Sequence, residues 1–200
     1  MGVTPVPFAF DAGPHTYTAL DTGERLQGLT DMLEHTGWID RRWYSEESSE
    51  RGTIVHGWTA KMDDRSCTFA QACEYAQDYS GWLAGHHRAT LVYRPVFHSI
   101  ECPLVHPVYR FGGRLDRVAL INGVLTIIEI KTGQKEKSHQ VQTALQAILA
   151  SVEYKLPPER IHRVAWYERP NGKVKVEPHD DLRDFAEARA VIKACCGGAA

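Results

Sequence analysis

Asn122-Gly123 constrains this chain more than any other pair of residues. Both residue types accept the positive φ that a two-residue type I′ hairpin loop demands, and the loop is flanked by runs rich in Val, Ile and Leu. Such a loop sets a register. Ile121 pairs with Val124, every outward step keeps the same pairing sum, and Asp116 falls opposite Glu129. Opposed Cβ atoms in an antiparallel pair lie roughly 4.5–5.5 Å apart, and like charges there destabilise the sheet. A divalent cation would offset that repulsion, because hard ions take carboxylate, phosphate and water oxygens. Lys131, two residues beyond Glu129, shares its face by the period-2 rule. One hairpin thus gathers Asp116, Glu129 and Lys131.

The rest of the chain suits an ordinary globular domain. Its 200 residues are 43% hydrophobic and 24% charged, enough for one sizeable core. No apolar run approaches the roughly 20 residues of a membrane span, and MGVTPVPFAF lacks a basic stretch followed by an apolar core, so the expectation is an intracellular, cytoplasmic protein with no membrane partner. Five irregularly spaced cysteines fit neither a disulfide framework nor a zinc cluster; reduced thiols are expected. His86, His87, His98, His106 and His139 lack structural-zinc spacing. The formal charge is −2, yet between Arg110 and Lys137 six basic residues (Arg110, Arg114, Arg117, Lys131, Lys135, Lys137) face three acidic ones (Asp116, Glu129, Glu136). With a metal on the acids this strip becomes strongly positive; the competing reading is a solvated charged face.

Along the chain, residues 1–23 read as an extended or hairpin-like lead-in. Leu26, Leu29, Met32 and Leu33 predict a first short helix ending at Gly37. Helical patterning runs from Ser48 or Ser49 to His87, divided near Asp63-Asp64-Arg65-Ser66. Strands are expected at Thr90 to Phe97 (an edge strand at best, because of Pro95), Ile100 to Leu104, Tyr109 to Ile121 and Val124 to Lys131. The continuous apolar run of the last calls for cover on both faces. Val141, Ala144, Leu145, Ile148, Leu149 and Val152 mark an amphipathic helix closed by Pro157-Pro158. A hairpin across Asn171-Gly172 and a helix from Asp181 to Lys193 complete the pattern: one domain, mainly helical over 1–88, a sheet core over 89–177, and a helix and tail over 178–200.

Gly113-Arg114-Leu115-Asp116, a hairpin, Glu129-Ile130-Lys131 and a helix carrying Gln142 occur in the order of the PD-(D/E)xK nuclease superfamily, and the chain resembles its RecB-like, phage-type exonuclease branch. Gly52-Thr53-Ile54-Val55-His56 resembles that branch's Gly-x-x-x-His helix, and His15-x-Tyr17, Thr22-Gly23 and Leu29-Thr30 resemble its lead-in. The pattern departs at Gln146, where the branch carries a tyrosine four residues after Gln142.

The resemblance implies an α/β, restriction-endonuclease-like core: a mixed, largely antiparallel sheet flanked by helices, with a helical N-terminal portion. It also implies a Mg²⁺- or Mn²⁺-dependent deoxyribonuclease, an exonuclease of phage or prophage recombination or replication, in the cytoplasm of a bacterial or phage-infected cell. A helicase or single-strand annealing protein is an implied partner. Asp116, Glu129, His56 and the Ile130 carbonyl would hold the metal. Lys131 would stand beside the attacking water, with orientation and proton removal both open. Gln142 would hydrogen-bond near the site or the DNA, and Arg51, Arg114, Arg117, Lys135 and Lys137 would meet phosphates. No iron–sulfur cluster is expected, because the cysteines do not reproduce the arrangement of one early residue and a late trio. Three competing readings stand beside this one: a structure- or sequence-specific endonuclease using the same site, a non-catalytic DNA-binding relative, and a purely structural ion-pair cluster of Asp116, Glu129 and Lys131. Glu101 is read as a supporting or strand-edge residue.

Overall fold

The structure, a computed structural model, describes residues 6–40, 42 and 45–197. Positions 1–5 of the expected lead-in and 198–200 of the tail lie outside the described residues. In chain order the elements are β1 (Phe8–Asp11), β2 (Thr16–Ala19), β3 (Arg25–Gly28), α1 (Leu29–His35), α2 (Glu46–Asp63), α3 (Phe69–Ala76), α4 (Ser80–Tyr93), β4 (Val96–Val105), β5 (Phe111–Ile121), β6 (Val124–Lys131), α5 (Ser138–Tyr154), β7 (His162–Glu168), β8 (Val174–Pro178) and α6 (Arg183–Cys196). The strands form one mixed, mostly antiparallel sheet in the order β1-β2-β3-β5-β6-β7-β8, with β4 beside β5. Only β3–β5 and β6–β7 pair in parallel.

The motif hairpin has the register read from the sequence: Ile121 pairs with Val124 and Arg117 with Ile128. Asn122 and Gly123 both have positive φ, 51° and 79°, as a type I′ loop requires. β6 is buried on both faces. Below one face lie α1, α5 and α6, whose Leu33, Leu145, Leu149 and Phe185 pack on Leu115, Val118 and Ile127. Against the other, Ala89 of α4 joins Ala119, Ile128 and Trp166. Helix α4 also comes close to the β7–β8 connection because glycines face it: a Cβ on Gly81 would sit 1.8 Å from the Pro170 carbonyl oxygen and one on Gly85 2.8 Å from that of Lys173.

Three element boundaries differ from the sequence reading. Leu26 belongs to strand β3 rather than the first helix, because β2 and β5 pair with that segment. Residues 90–93 continue α4, which stops at Arg94 in the left-handed conformation ahead of Pro95. The strands expected at 90–97 and 100–104 are therefore one edge strand, β4, irregular at His98.

β4 pairs with residues 112–120 of β5 along one edge. The other edge is shared: β3 takes Phe111 and Gly112, and β6 takes Arg117 to Ile121. Residues 113–116 between them have no strand partner on that side.

Candidate active site

That unpaired stretch lines a cavity of about 700 Å³ together with Glu129, Gln142 and Gln146; its far wall includes Pro14 and His15 from the β1–β2 turn and Thr30 from α1. Gly113 is needed for this closure, since a Cβ there would lie 2.7 Å from Leu149 Cδ1 and 3.1 Å from Leu29 Cδ1. The glycine of the Gly-x-x-Asp motif lets α1 and α5 close over β5 three residues from Asp116. Gly52, the other motif glycine, has open space around it and answers no steric demand.

The pairings Ile100↔Arg117 and Cys102↔Leu115 put Glu101 across from Asp116, while the β5–β6 ladder ends at Arg117↔Ile128, one step short of Asp116 and Glu129. Acids from β4, β5 and β6 thus come to one region, Glu101 across from Asp116 and Glu129 near enough to feel the Asp116 charge. The ladder loosens here: the Ile130 N–H donates to Asp116 Oδ2 at 2.8 Å. Glu101 has φ of 49°, a conformation costly for a non-glycine residue and characteristic of functional sites.

His56 comes to this region from α2, which opens with a reciprocal Ser45–Ser48 capping box. Its Nε2 lies 3.2 Å from the Ile130 carbonyl oxygen, and its Nδ1 lies 3.4 Å from Asp116 Oδ1 and 3.6 Å from Glu101 Oε1. With an acceptor at each ring nitrogen, the imidazolium suits the place. Burial alone would lower the His56 pKa, but the Asp116 and Glu101 carboxylates overcome that and push it up to about 10. Asp116 is held well below the ordinary carboxylate range: burial opposes ionisation, but His56, Lys131 and the Ile130 N–H more than reverse it. Glu129 moves the other way, raised by burial and by the charge of Asp116 against the pull of Lys131 and Gln146.

Glu129 is held from α5 and from its own strand. Gln142 Nε2 donates to Oε1 at 2.6 Å, Lys131 Nζ reaches the same oxygen at 2.9 Å, and Gln146 Nε2 donates to Oε2 at 2.6 Å. Lys131 Nζ also donates to Gln142 Oε1 at 2.9 Å. The structure brings His56, Asp116, Glu129, Ile130, Lys131 and Gln142 together. It adds two residues to them. Glu101, read as a strand-edge residue, offers an oxygen that lies with ligand atoms of His56 and Asp116 within 4.8 Å of one another. Its place depends on the β4 irregularity, which has no signature in composition. Gln146, noted only as a departure from a pattern, is bonded to Glu129; its i+4 spacing from Gln142 was the available signal.

The basic residues divide. Arg114 borders the cavity and its Nε lies 3.1 Å from Glu101 Oε2. Lys135 is half-exposed and bonded to Glu177, and Lys137 is exposed just ahead of α5. Arg51 lies over the Trp82 ring at 5.7 Å, turned toward α4. Arg117, expected at a phosphate, is 0% exposed. Strand alternation turns it to the face opposite Asp116, where it meets Asp63 Oδ2 at 2.6 Å, Thr59 Oγ1 at 3.0 Å and Glu101 Oε1 at 2.8 Å. It is an internal counter-charge, out of reach of DNA. Asp63 also holds His86 at 2.9 Å, and Glu168 holds the other ring nitrogen at 2.8 Å.

Oxygen donors from Asp116, Glu101 and the Ile130 carbonyl, with the His56 imidazole, fit a hard divalent cation. The site thus lies on a mixed α/β sheet, at a break in its ladder. A model of the PD-(D/E)XK nuclease superfamily matches residues 19–200, and the chain belongs to that superfamily. No curated protein matches the sequence. Among solved structures, a "Putative exonuclease" from Eubacterium rectale has a TM-score of 0.50 at 10% identity, over 82% of this chain and 69% of that one. The protein named SSO0001 reaches only 0.34 at 16% identity, over 86% and 87% of the two chains. The first likeness concerns the fold, and the second carries no argument.

Proposed function

We propose that this chain is a Mg²⁺- or Mn²⁺-dependent deoxyribonuclease that hydrolyses phosphodiester bonds from a DNA end, as phage recombination and replication exonucleases do. The observation that carries the reading is the group Glu101, Asp116 and His56 at the unpaired stretch of β5, with the Ile130 carbonyl beside His56. Asp116, Glu129, Glu101, His56 and the Ile130 carbonyl would hold the cation. When bound, the ion lowers the pKa of water and neutralises charge that develops on the phosphoryl group. Lys131, beside Glu129, supplies a cation for the scissile phosphate and a donor to orient the attacking water; Gln142 fixes its amine. Arg114 at the cavity wall adds phosphate attraction without base specificity. End-directed action is supported by the β1–β2 turn and the start of α1, which wall the cavity opposite the acids.

The test uses end-labelled linear and covalently closed circular duplexes with Mg²⁺, Mn²⁺ or EDTA. Linear DNA is shortened from its ends only with metal, circles stay intact, and Asp116→Ala abolishes cleavage while keeping the fold. Linearised circles would replace the exonuclease reading with an endonuclease one, and activity retained by Asp116→Ala in excess metal would overturn the site.

A further inference from the structure

Gln146 is 1% exposed and lies on α5 one turn beyond Gln142, lining the cavity with it. Volume alone does not call for an amide there, since a leucine or methionine would fill it without leaving a buried polar atom unpartnered. Its Nε2 spends a hydrogen bond on Glu129 Oε2, and its Oε1 is buried without a hydrogen-bond partner among the described residues.

The donors around Glu129 explain the residue. A carboxylate presents about four lone-pair sites. Lys131 and Gln142 use both on Oε1, and Gln146 uses one on Oε2. The polarity of Gln142 is set by Lys131, which donates to its Oε1 and leaves Nε2 as the only group able to face Glu129. All three neighbours are donors, so the arrangement matches an ionised Glu129 and leaves one of its four lone-pair sites, on Oε2, untaken by them. Gln146 is the group that determines which site that is.

We propose that Gln146 is a positioning residue that turns the last free lone pair of Glu129 toward the cation and so sets the affinity for it. The inference rests on the reading of these acids as a metal site. Its unpartnered Oε1 provides an acceptor for a donor that arrives with the ligand.

The test measures Mn²⁺ binding by titration calorimetry to the wild-type chain, Gln146→Met, Gln146→Leu and Asp116→Ala, each checked by far-UV circular dichroism and thermal melting. Methionine keeps the shape and removes the donor; leucine removes it with a different shape. Wild type binds, Asp116→Ala does not, and both Gln146 variants bind about 10–100-fold more weakly, the usual scale for residues that orient a metal ligand. In cleavage of end-labelled DNA, the half-saturating Mn²⁺ concentration rises by the same factor, while the rate at saturating Mn²⁺ changes far less. Mn²⁺ affinity within about twofold of wild type in a folded Gln146 variant, with binding still lost in Asp116→Ala, overturns the role of Gln146 and leaves the metal site standing. Binding retained by Asp116→Ala, or absent from wild type, overturns the metal site and this inference with it.

Discussion

Arg117→Met separates two meanings of a basic residue beside the motif. The wild-type guanidinium makes four hydrogen bonds, to Asp63, Glu101, Thr59 and the Asp116 carbonyl, the last at 2.7 Å. It is enclosed by a set of groups whose charges alternate through the interior: Glu168, His86, Asp63, Arg117, Glu101. Methionine fills the volume but removes the counter-charge that Asp63 and Glu101 share, leaving Asp63 to His86 and Glu101 to Arg114 and His56. Removing one partner of a buried ion pair costs about 3–5 kcal/mol. Each kcal/mol moves the melting point of a domain of this size by about 2–4 °C, so the expected fall is roughly 6–20 °C. Differential scanning fluorimetry reads it, with urea denaturation as the independent check. DNA affinity at several salt concentrations supplies the other half: since Arg117 touches no phosphate, the slope of log K against log salt stays the same at temperatures where the variant is folded. A variant that melts within about 1 °C of wild type while its salt slope falls by about one would restore Arg117 as a phosphate contact and refute the reasoning.

The motif glycine gives a second outcome: Gly113→Ala forces Leu149 and Leu29 apart, costing about 1–3 kcal/mol by overpacking in urea denaturation, and an unchanged midpoint would mean that α1 and α5 yield freely. Stability against pH gives a third. His86, where burial is outweighed by Asp63 and Glu168, is pushed up to about 9; its contribution is complete below the ordinary histidine value of 6.5 and fades as pH rises through 9. The buried His106 and His179, lowered to about 4, act oppositely: theirs is complete above 6.5 and fades as pH falls toward 4. Urea midpoints should therefore peak near pH 6.5 and decline on both sides, and a curve still rising between pH 7 and 9 contradicts the His86 assignment.

The hairpin was legible because its determinants are local: Asn122 and Gly123 accept positive φ, and the register follows by counting. Helix α5 was legible from its stripe, and the acids followed from register and alternation together. Alternation also decides Arg117, one residue from Asp116 and so on the opposite face. Counting basic residues along the strip discards that information, which is why Arg117 was misread as a phosphate contact. Glu101 was harder. Its place across from Asp116 depends on a shift in the β4 pairing between Phe97 and Ser99, which no local pattern in the sequence marks. The partnership of β3 with β5 joins segments more than eighty residues apart, which no local pattern announces.

Strands β3 and β6 meet the same side of β5 end to end without touching each other's span, so the reactive point lies on a seam between two sub-sheets. The spacing across a seam is set by what flanks it. Here that is the N-terminal ribbon on one side and the motif hairpin on the other, with α1 and α5 clamped over Gly113. A change in how β1 to β3 dock would therefore alter the width of the opening at the acids, which lie on segments about a hundred positions later in the chain.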